Sequence, residues 1–209
     1  MPLSPIKLAV LASGGGTTLQ NLIDQIAAHN LDARIAVVIA SRPAIKAIDR
    51  AAAARIPCHI IDRKHYDSVE SFSHPIFKLC DDANIDLICL AGWLNLLAIP
   101  PKYHHRIMNI HPALLPSFGG KGMFGHHVHQ AVLDHGCKVS GCTVHFVDNQ
   151  YDTGPIIIQR TCPVLDDDTP DTLAARVFDQ EKLAYPDAIR LFHQNRLKII
   201  ARRVHILPM

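Results

Sequence analysis

The sequence predicts an α/β fold of Rossmann-like type: a mostly parallel sheet with helices on both faces and mixed strands in the C-terminal part. Three observations predict it. Short apolar runs alternate with segments of helical periodicity through the first half of the chain. The first of these runs passes directly into a glycine-rich turn and then a helix, as a strand-turn-helix unit does. After His111 the texture changes, and two strand-like runs follow one another with only a turn-forming stretch between them.

Taken in order, Leu8-Ala9-Val10-Leu11-Ala12 is a short buried strand and Ser13 opens the glycine turn. Leu19, Leu22, Ile23 and Ile26 recur at helical spacing. Residues 35–40 form a second strand, after which Ser41 is placed to cap a helix with Pro43 in its first turn. Residues 58–61 read as a third strand. Asp67 with Glu70 reads as a capping box for a helix ending near Asn84. Residues 87–90 and 106–110 give two more strands. Residues 112–126, rich in Pro and Gly, form a long loop of the kind that usually carries function. A short helix over 127–135 follows, then strands over 141–147 and 155–164. Thr169-Pro170 starts a helix, Pro186 begins another segment, and residues 196–204 add an edge strand.

Of the 209 residues, 48% are hydrophobic and 19% charged, a globular balance that excludes disorder. Twenty-one Lys and Arg against 19 Asp and Glu leave a formal charge of +2. That is no broad basic field, so nucleic acid is not an expected partner. No apolar run reaches the ~18 residues of a membrane span, and Met1-Pro2-Leu3-Ser4-Pro5 lacks the pattern of a leader. The six cysteines form no CxxC pair and read as buried thiols of a reducing compartment, hence the cytoplasm.

Ser13-Gly14-Gly15-Gly16-Thr17-Thr18 offers backbone N–H groups at a helix N-terminus, and its glycines allow close approach of a phosphate. Leu19 stands where a dinucleotide fingerprint needs its third glycine, no acid ends the second strand, and no Gly-Lys-Ser/Thr is present. A monophosphate fits best; a tight turn without ligand is the alternative. Asn109 and His111, two apart at the carboxyl end of a strand, face one side. An amide donor beside an imidazole suits oxyanion stabilisation and proton movement, although a structural histidine satisfied by backbone reads the same way. Asp152, before Thr153-Gly154-Pro155, orients His111, accepts a proton through water, or simply forms a turn. His126, His127 and His129 invite a metal reading, but neither paired Cys/His spacing nor HExxH supports one, and no metal is expected.

Asn109-Ile110-His111-Pro112-Ala113-Leu114-Leu115-Pro116 resembles the folate-dependent formyltransferases, and among them the phosphoribosylglycinamide formyltransferases of purine biosynthesis. Further landmarks are Ser13-Gly14-Gly15-Gly16, Leu90-Ala91-Gly92-Trp93, Gly141-Cys142-Thr143-Val144-His145-Phe146-Val147 and Asp152-Thr153-Gly154-Pro155-Ile156. The resemblance implies transfer of a formyl group from 10-formyltetrahydrofolate, a co-substrate, to the amine of glycinamide ribonucleotide. It implies Asn109, His111 and Asp152 as the catalytic trio. It also implies Gly16, Thr17, Thr18 and Glu181 as ribonucleotide contacts. Leu94, Asn95, Leu96 and Leu97, with Asp148, Asn149, Gln150, Tyr151 and Asp152, fall on the folate pocket.

Thr17-Thr18 replaces the family's usual Ser-Asn, keeping a hydroxyl and losing an amide, and Asn95 stands where arginine is common. The expected organisation is one domain. Residues 1–105 would be its phosphate-binding half and 106–209 its catalytic and folate-binding half, working as a monomer or homodimer. Formyltetrahydrofolate deformylase and methionyl-tRNA formyltransferase share the motif but carry added domains for which this length leaves no room. An NADP-binding reductase using Arg42 leaves Asn109, His111 and Asp152 unexplained; a non-catalytic nucleotide-binding module is the other alternative, separated by a formyl-transfer assay with both substrates.

Overall fold

The structure is a computed structural model that describes residues 4–209. Met1, Pro2 and Leu3, part of the segment read above as lacking a leader, lie outside the described residues. Seven strands hydrogen-bond in the order β3-β2-β1-β4-β5-β6-β7. They are β1 (Ile6–Ala12), β2 (Ala33–Ala40), β3 (Cys58–Ile60), β4 (Leu87–Leu90), β5 (Ile107–His111), β6 (Val139–Phe146) and β7 (Ile156–Pro163). The chain divides into two compact units, one up to Met108 and one from Asn109 onward.

In the first unit, β1 pairs in parallel with β2 and with β4, and β2 pairs in parallel with β3. Leu8, Ala9, Val10, Leu11 and Ala12 are all fully buried. A parallel strand covered on both faces requires that, which is why this run does not alternate. The helices between the strands are α1 (Thr17–Ala27), α2 (Lys46–Ala53) and α3 (Val69–Asp82). Leu19 and Leu22 on α1, and Phe72, Ile76 and Cys80 on α3, are fully buried at helical spacing.

Two helix starts differ from the sequence reading. Ser41 does not cap α2: its hydroxyl donates to Ser13 Oγ at 2.8 Å, tying the end of β2 to the glycine turn. Ala44 then turns the chain in the left-handed region, φ 57°, and α2 begins at Lys46. The capping box of α3 lies one residue later than Asp67 and Glu70. Ser68 Oγ accepts from Ser71 N at 3.0 Å and Ser71 Oγ accepts from Ser68 N at 3.2 Å. Two short hydroxyls satisfy the orphan amides reciprocally.

In the second unit, α4 (His126–Asp134) precedes β6, and α5 (Pro170–His193) follows β7. β6 and β7 pair antiparallel, with a register shift between Val144 and His145. Gly141 is required there, since a Cβ would lie 2.0 Å from the Arg160 carbonyl oxygen. α5 starts at Thr169 as expected but runs unbroken through Pro186, where a new segment was expected. An interior proline costs a helix roughly 3 kcal/mol. Here Ala184, Tyr185, Pro186, Ala188 and Ile189 are all buried, and that packing outweighs the lost bond. Residues 196–204 add no edge strand to the main sheet. They belong to a separate antiparallel hairpin, β8 (Leu197–Ile200) and β9 (Arg203–Ile206). Among the described residues no helix is long and apolar enough to cross a membrane.

Candidate active site

The glycine turn of the first unit is braced from outside. Arg42 Nε donates to the Ser13 carbonyl at 3.1 Å, Ala47 N to the Gly14 carbonyl at 3.3 Å and Arg50 Nε to the Gly15 carbonyl at 2.9 Å. With three successive carbonyls engaged, the turn presents its amides at the N-terminus of α1, which has no side-chain cap. Gly16 adopts φ 70°, and a Cβ there would lie 2.8 Å from Ala47 Cα. Gly14 and Gly15 face open space. Thr17 is exposed and Thr18 buried.

Leu94, Asn95, Leu96 and Leu97 follow β4, the parallel neighbour of β1, so both loops leave the carboxyl edge of the sheet. Leu94 N donates to Ser13 Oγ at 3.2 Å and Ser13 N to the Gly92 carbonyl at 3.1 Å. Leu94 is exposed, Asn95 and Leu96 half-buried and Leu97 buried. Trp93 anchors the segment by stacking on Phe72, with ring centroids 5.9 Å apart.

In the second unit, Asn109, His111 and Asp152 come together. His111 Nδ1 lies 3.6 Å from Asp152 Oδ2, and Asn109 Nδ2 donates to Asp152 Oδ1 at 3.4 Å. His111 Nε2 donates to the Phe118 carbonyl at 2.8 Å, and the Gly120 amide donates to Asp152 Oδ2 at 2.9 Å. Gly119 packs closely here: a Cβ would lie 3.3 Å from Asp152 Cβ and would push the end of the Leu115 side chain aside. Asp152 itself adopts φ 56°, a left-handed conformation that a short polar residue tolerates.

The sequence reading missed a fourth side chain, His145. Its Nδ1 donates to the Phe146 carbonyl at 2.7 Å, which leaves Nε2 to accept from Asn109 Nδ2 at 3.2 Å. The same Nε2 lies 3.6 Å from Asp152 Oδ1. The signal was present: Gly141, Thr143 and His145 alternate along β6, a polar row in an apolar strand. Thr143, fully buried, holds the start of the long loop. Its hydroxyl donates to the Ala113 carbonyl at 2.7 Å and accepts from Leu115 N at 3.0 Å and Gln159 Nε2 at 3.0 Å.

Burial pushes the His111 imidazole below its ordinary value, against the charge of Asp152 and the bond to Phe118. For Asp152 burial acts upward, but nearby His111 and the Gly120 amide outweigh it and hold the carboxyl low. The pair therefore rests as neutral imidazole and carboxylate near neutral pH.

The remaining loop residues, Asp148, Asn149, Gln150 and Tyr151, lie between β6 and β7. Asp148 closes this loop on itself: its carboxylate accepts from Gln150 N at 3.0 Å and from Thr153 Oγ1 at 2.8 Å. Glu181 lies apart from the trio, half-buried on α5. Burial pushes its carboxyl up to about 8, and its charge is felt by Cys142 on β6. The histidines of α4 separate. His126 pairs with Asp171 at 2.9 Å, whereas His129 is buried with its Nδ1 unpartnered. Among the described residues no three His, Cys, Asp or Glu are grouped to hold a metal ion.

A mostly parallel sheet with an amide, two imidazoles and a carboxylate gathered at the carboxyl end of a strand places the chain among α/β proteins with a polar ligand site at that edge. The comparisons with known proteins narrow this. Residues 6–189 match the formyl transferase family, and the chain belongs to that family. It is 38% identical to the trifunctional purine biosynthetic protein adenosine-3 of Gallus gallus, over 93% of this chain and 19% of that protein. It thus spans about a fifth of the length of that trifunctional relative. Against the chloroplastic phosphoribosylglycinamide formyltransferase of Arabidopsis thaliana it is 33% identical, over 92% of this chain and 67% of that protein. Among solved structures, glycinamide ribonucleotide transformylase 1 of Symbiobacterium toebii matches with a TM-score of 0.90 and 40% identity. That match covers 98% of this chain and 95% of the other.

Proposed function

We propose that this chain transfers the formyl group of 10-formyltetrahydrofolate to the amine of glycinamide ribonucleotide, a step of purine biosynthesis. The observation that carries the reading is the convergence of Asn109, His111 and Asp152 within one hydrogen-bonded cluster. The amine nitrogen attacks the formyl carbon, and negative charge develops on the formyl oxygen. Asn109 would meet that charge, joined by His111 once its Nδ1 has taken up a proton; one such donor is worth about 3 kcal/mol. The 3.4 Å contact from Asn109 to Asp152 is the longer of its two, and the oxyanion would take its place. Asp152, with its carboxyl held low, takes up the amine proton directly or through water. The carbon–nitrogen bond to the folate then breaks, its electron pair goes to the departing nitrogen, and that nitrogen takes the proton that Asp152 received.

The amides of Gly16, Thr17 and Thr18 are assigned to the ribonucleotide phosphate, and Glu181 to the remainder of the ribonucleotide. Leu94, Asn95, Leu96 and Leu97 and the loop of Asp148 to Asp152 are assigned to the folate. Both substrates are small molecules, no metal takes part, and the enzyme works in the cytoplasm as a monomer or homodimer. Incubating the purified protein with both substrates tests the reading. Formylated ribonucleotide and tetrahydrofolate should appear in equal amounts, and His111→Ala should abolish both. Formate released without formylated ribonucleotide would sink it.

A further inference from the structure

The residue after Asp152 is gripped by an element outside the stretch that matches the family, which ends at residue 189. Arg202, between β8 and β9, donates from Nη2 to the Thr153 carbonyl at 2.6 Å. The hairpin that carries it is closed at its base. Leu207 N donates to the Arg196 carbonyl at 2.8 Å, and Arg196 Nε to the Leu207 carbonyl at 2.7 Å. Thr153 is held from its other side as well, since its hydroxyl donates to both oxygens of Asp148, at 2.8 and 2.9 Å. Gly154 next to it lies against β6 so closely that a Cβ would come within 1.8 Å of the Phe146 carbonyl oxygen. Thr153, the residue following Asp152, is thereby fixed at its carbonyl by Arg202 and at its side chain by Asp148, and the residue after it is held against β6.

We propose that Arg202 is a positioning residue for Asp152: its guanidinium holds the Thr153 carbonyl and so maintains the left-handed turn that aims the Asp152 carboxylate at His111, Asn109 and His145. The inference rests on the reading of Asp152 as catalytic. A guanidinium suits the task because its donors are rigidly planar and always charged, whereas the turn it stabilises places an Asp at φ 56°. Arg202 is exposed and touches none of the reacting groups, so it acts only through this peptide.

The test compares Arg202→Ala, Arg202→Lys and Asp152→Asn in the full chain. Each is assayed for formyl transfer, for thermal unfolding and for the titration of His111 by NMR. Loss of one charged hydrogen bond that serves only alignment should lower kcat by roughly three- to tenfold. The KM for the ribonucleotide should stay unchanged, and lysine should restore part of the rate. The His111 midpoint should fall in Arg202→Ala, because the carboxylate that raises it moves away, and fall further in Asp152→Asn. If Asp152→Asn is impaired while Arg202→Ala keeps both its kcat and its His111 titration, the proposal is overturned. It is overturned equally if Arg202→Ala only melts earlier. Full turnover by Asp152→Asn would instead overturn the catalytic reading of Asp152.

Discussion

His111 Nδ1 faces Asp152 Oδ2 at 3.6 Å, while Nε2 of the same ring donates to the Phe118 carbonyl. With Nε2 already carrying its hydrogen, a proton gained by His111 arrives on the nitrogen that faces the carboxylate. Imidazole and carboxylate thus titrate beside one another, and a change at either member alters the other.

Single-turnover rates should fall on the order of 10²-fold or more for each of Asn109→Ala, His111→Ala and Asp152→Asn. Combining His111→Ala with Asp152→Asn should cost little beyond the worse single change, because the first loss dismantles the arrangement. Additive losses would mean that the two residues act independently. Thermal unfolding measured alongside separates these effects from damage to the fold.

The glycine turn should separate binding from chemistry. Thr18→Ala should raise the ribonucleotide KM modestly and leave kcat nearly intact, as for contacts equal in ground and transition states. Gly16→Ala should raise KM much further, since its Cβ meets Ala47 and its φ of 70° disfavours a side chain. Steady-state kinetics with varied ribonucleotide checks both.

Two buried groups should tie stability to pH in opposite senses over overlapping ranges. Burial holds His129 down to about 4, so below the ordinary histidine value of ~6.5 the unfolded chain binds a proton that the folded one does not. Stability is therefore lost as pH falls from there to about 4. Glu181 is raised to about 8, so the folded chain keeps a proton that the unfolded one releases, and stability falls as pH rises toward that value. Denaturant midpoints measured from pH about 4 to about 8 should lose the rise below ~6.5 in His129→Asn and the decline that runs from the ordinary carboxylate value up to about 8 in Glu181→Gln.

Thr143→Val should destabilise by about 1–3 kcal/mol, because it leaves the Ala113 carbonyl and the Leu115 amide without their buried partner. Denaturant unfolding measures the loss. An isosteric change without effect would mean that the loop finds its hold elsewhere.

Periodicity made most of this fold legible in the sequence. Strands such as β1 and β4 and the glycine turn announce themselves because burial on both faces and tight turns each demand specific residue types. Asn109 and His111 were legible as a pair for the same reason, alternation at a strand end. His145 was not singled out, because alternation along β6 does not name its partners, Asn109 on β5 and Asp152 beyond the strand. Pro186 misled because the rule against interior proline is local, while the packing that overrides it comes from distant strands. The Ser41 hydroxyl went to Ser13, 28 positions away, and cap rules cannot anticipate such a partner.

The contact between Gly154 and the Phe146 carbonyl fixes how long the return from β6 to β7 can be. Grafting foreign peptide between residues 147 and 153 would dislodge the carboxylate, because the far end of that return has no slack. The stretch of 121–125 in the preceding loop is different ground. Gly122 and Gly125 there face open space, so an epitope or fluorophore carrier could be spliced in beside the reaction centre and report on it without disturbing its geometry.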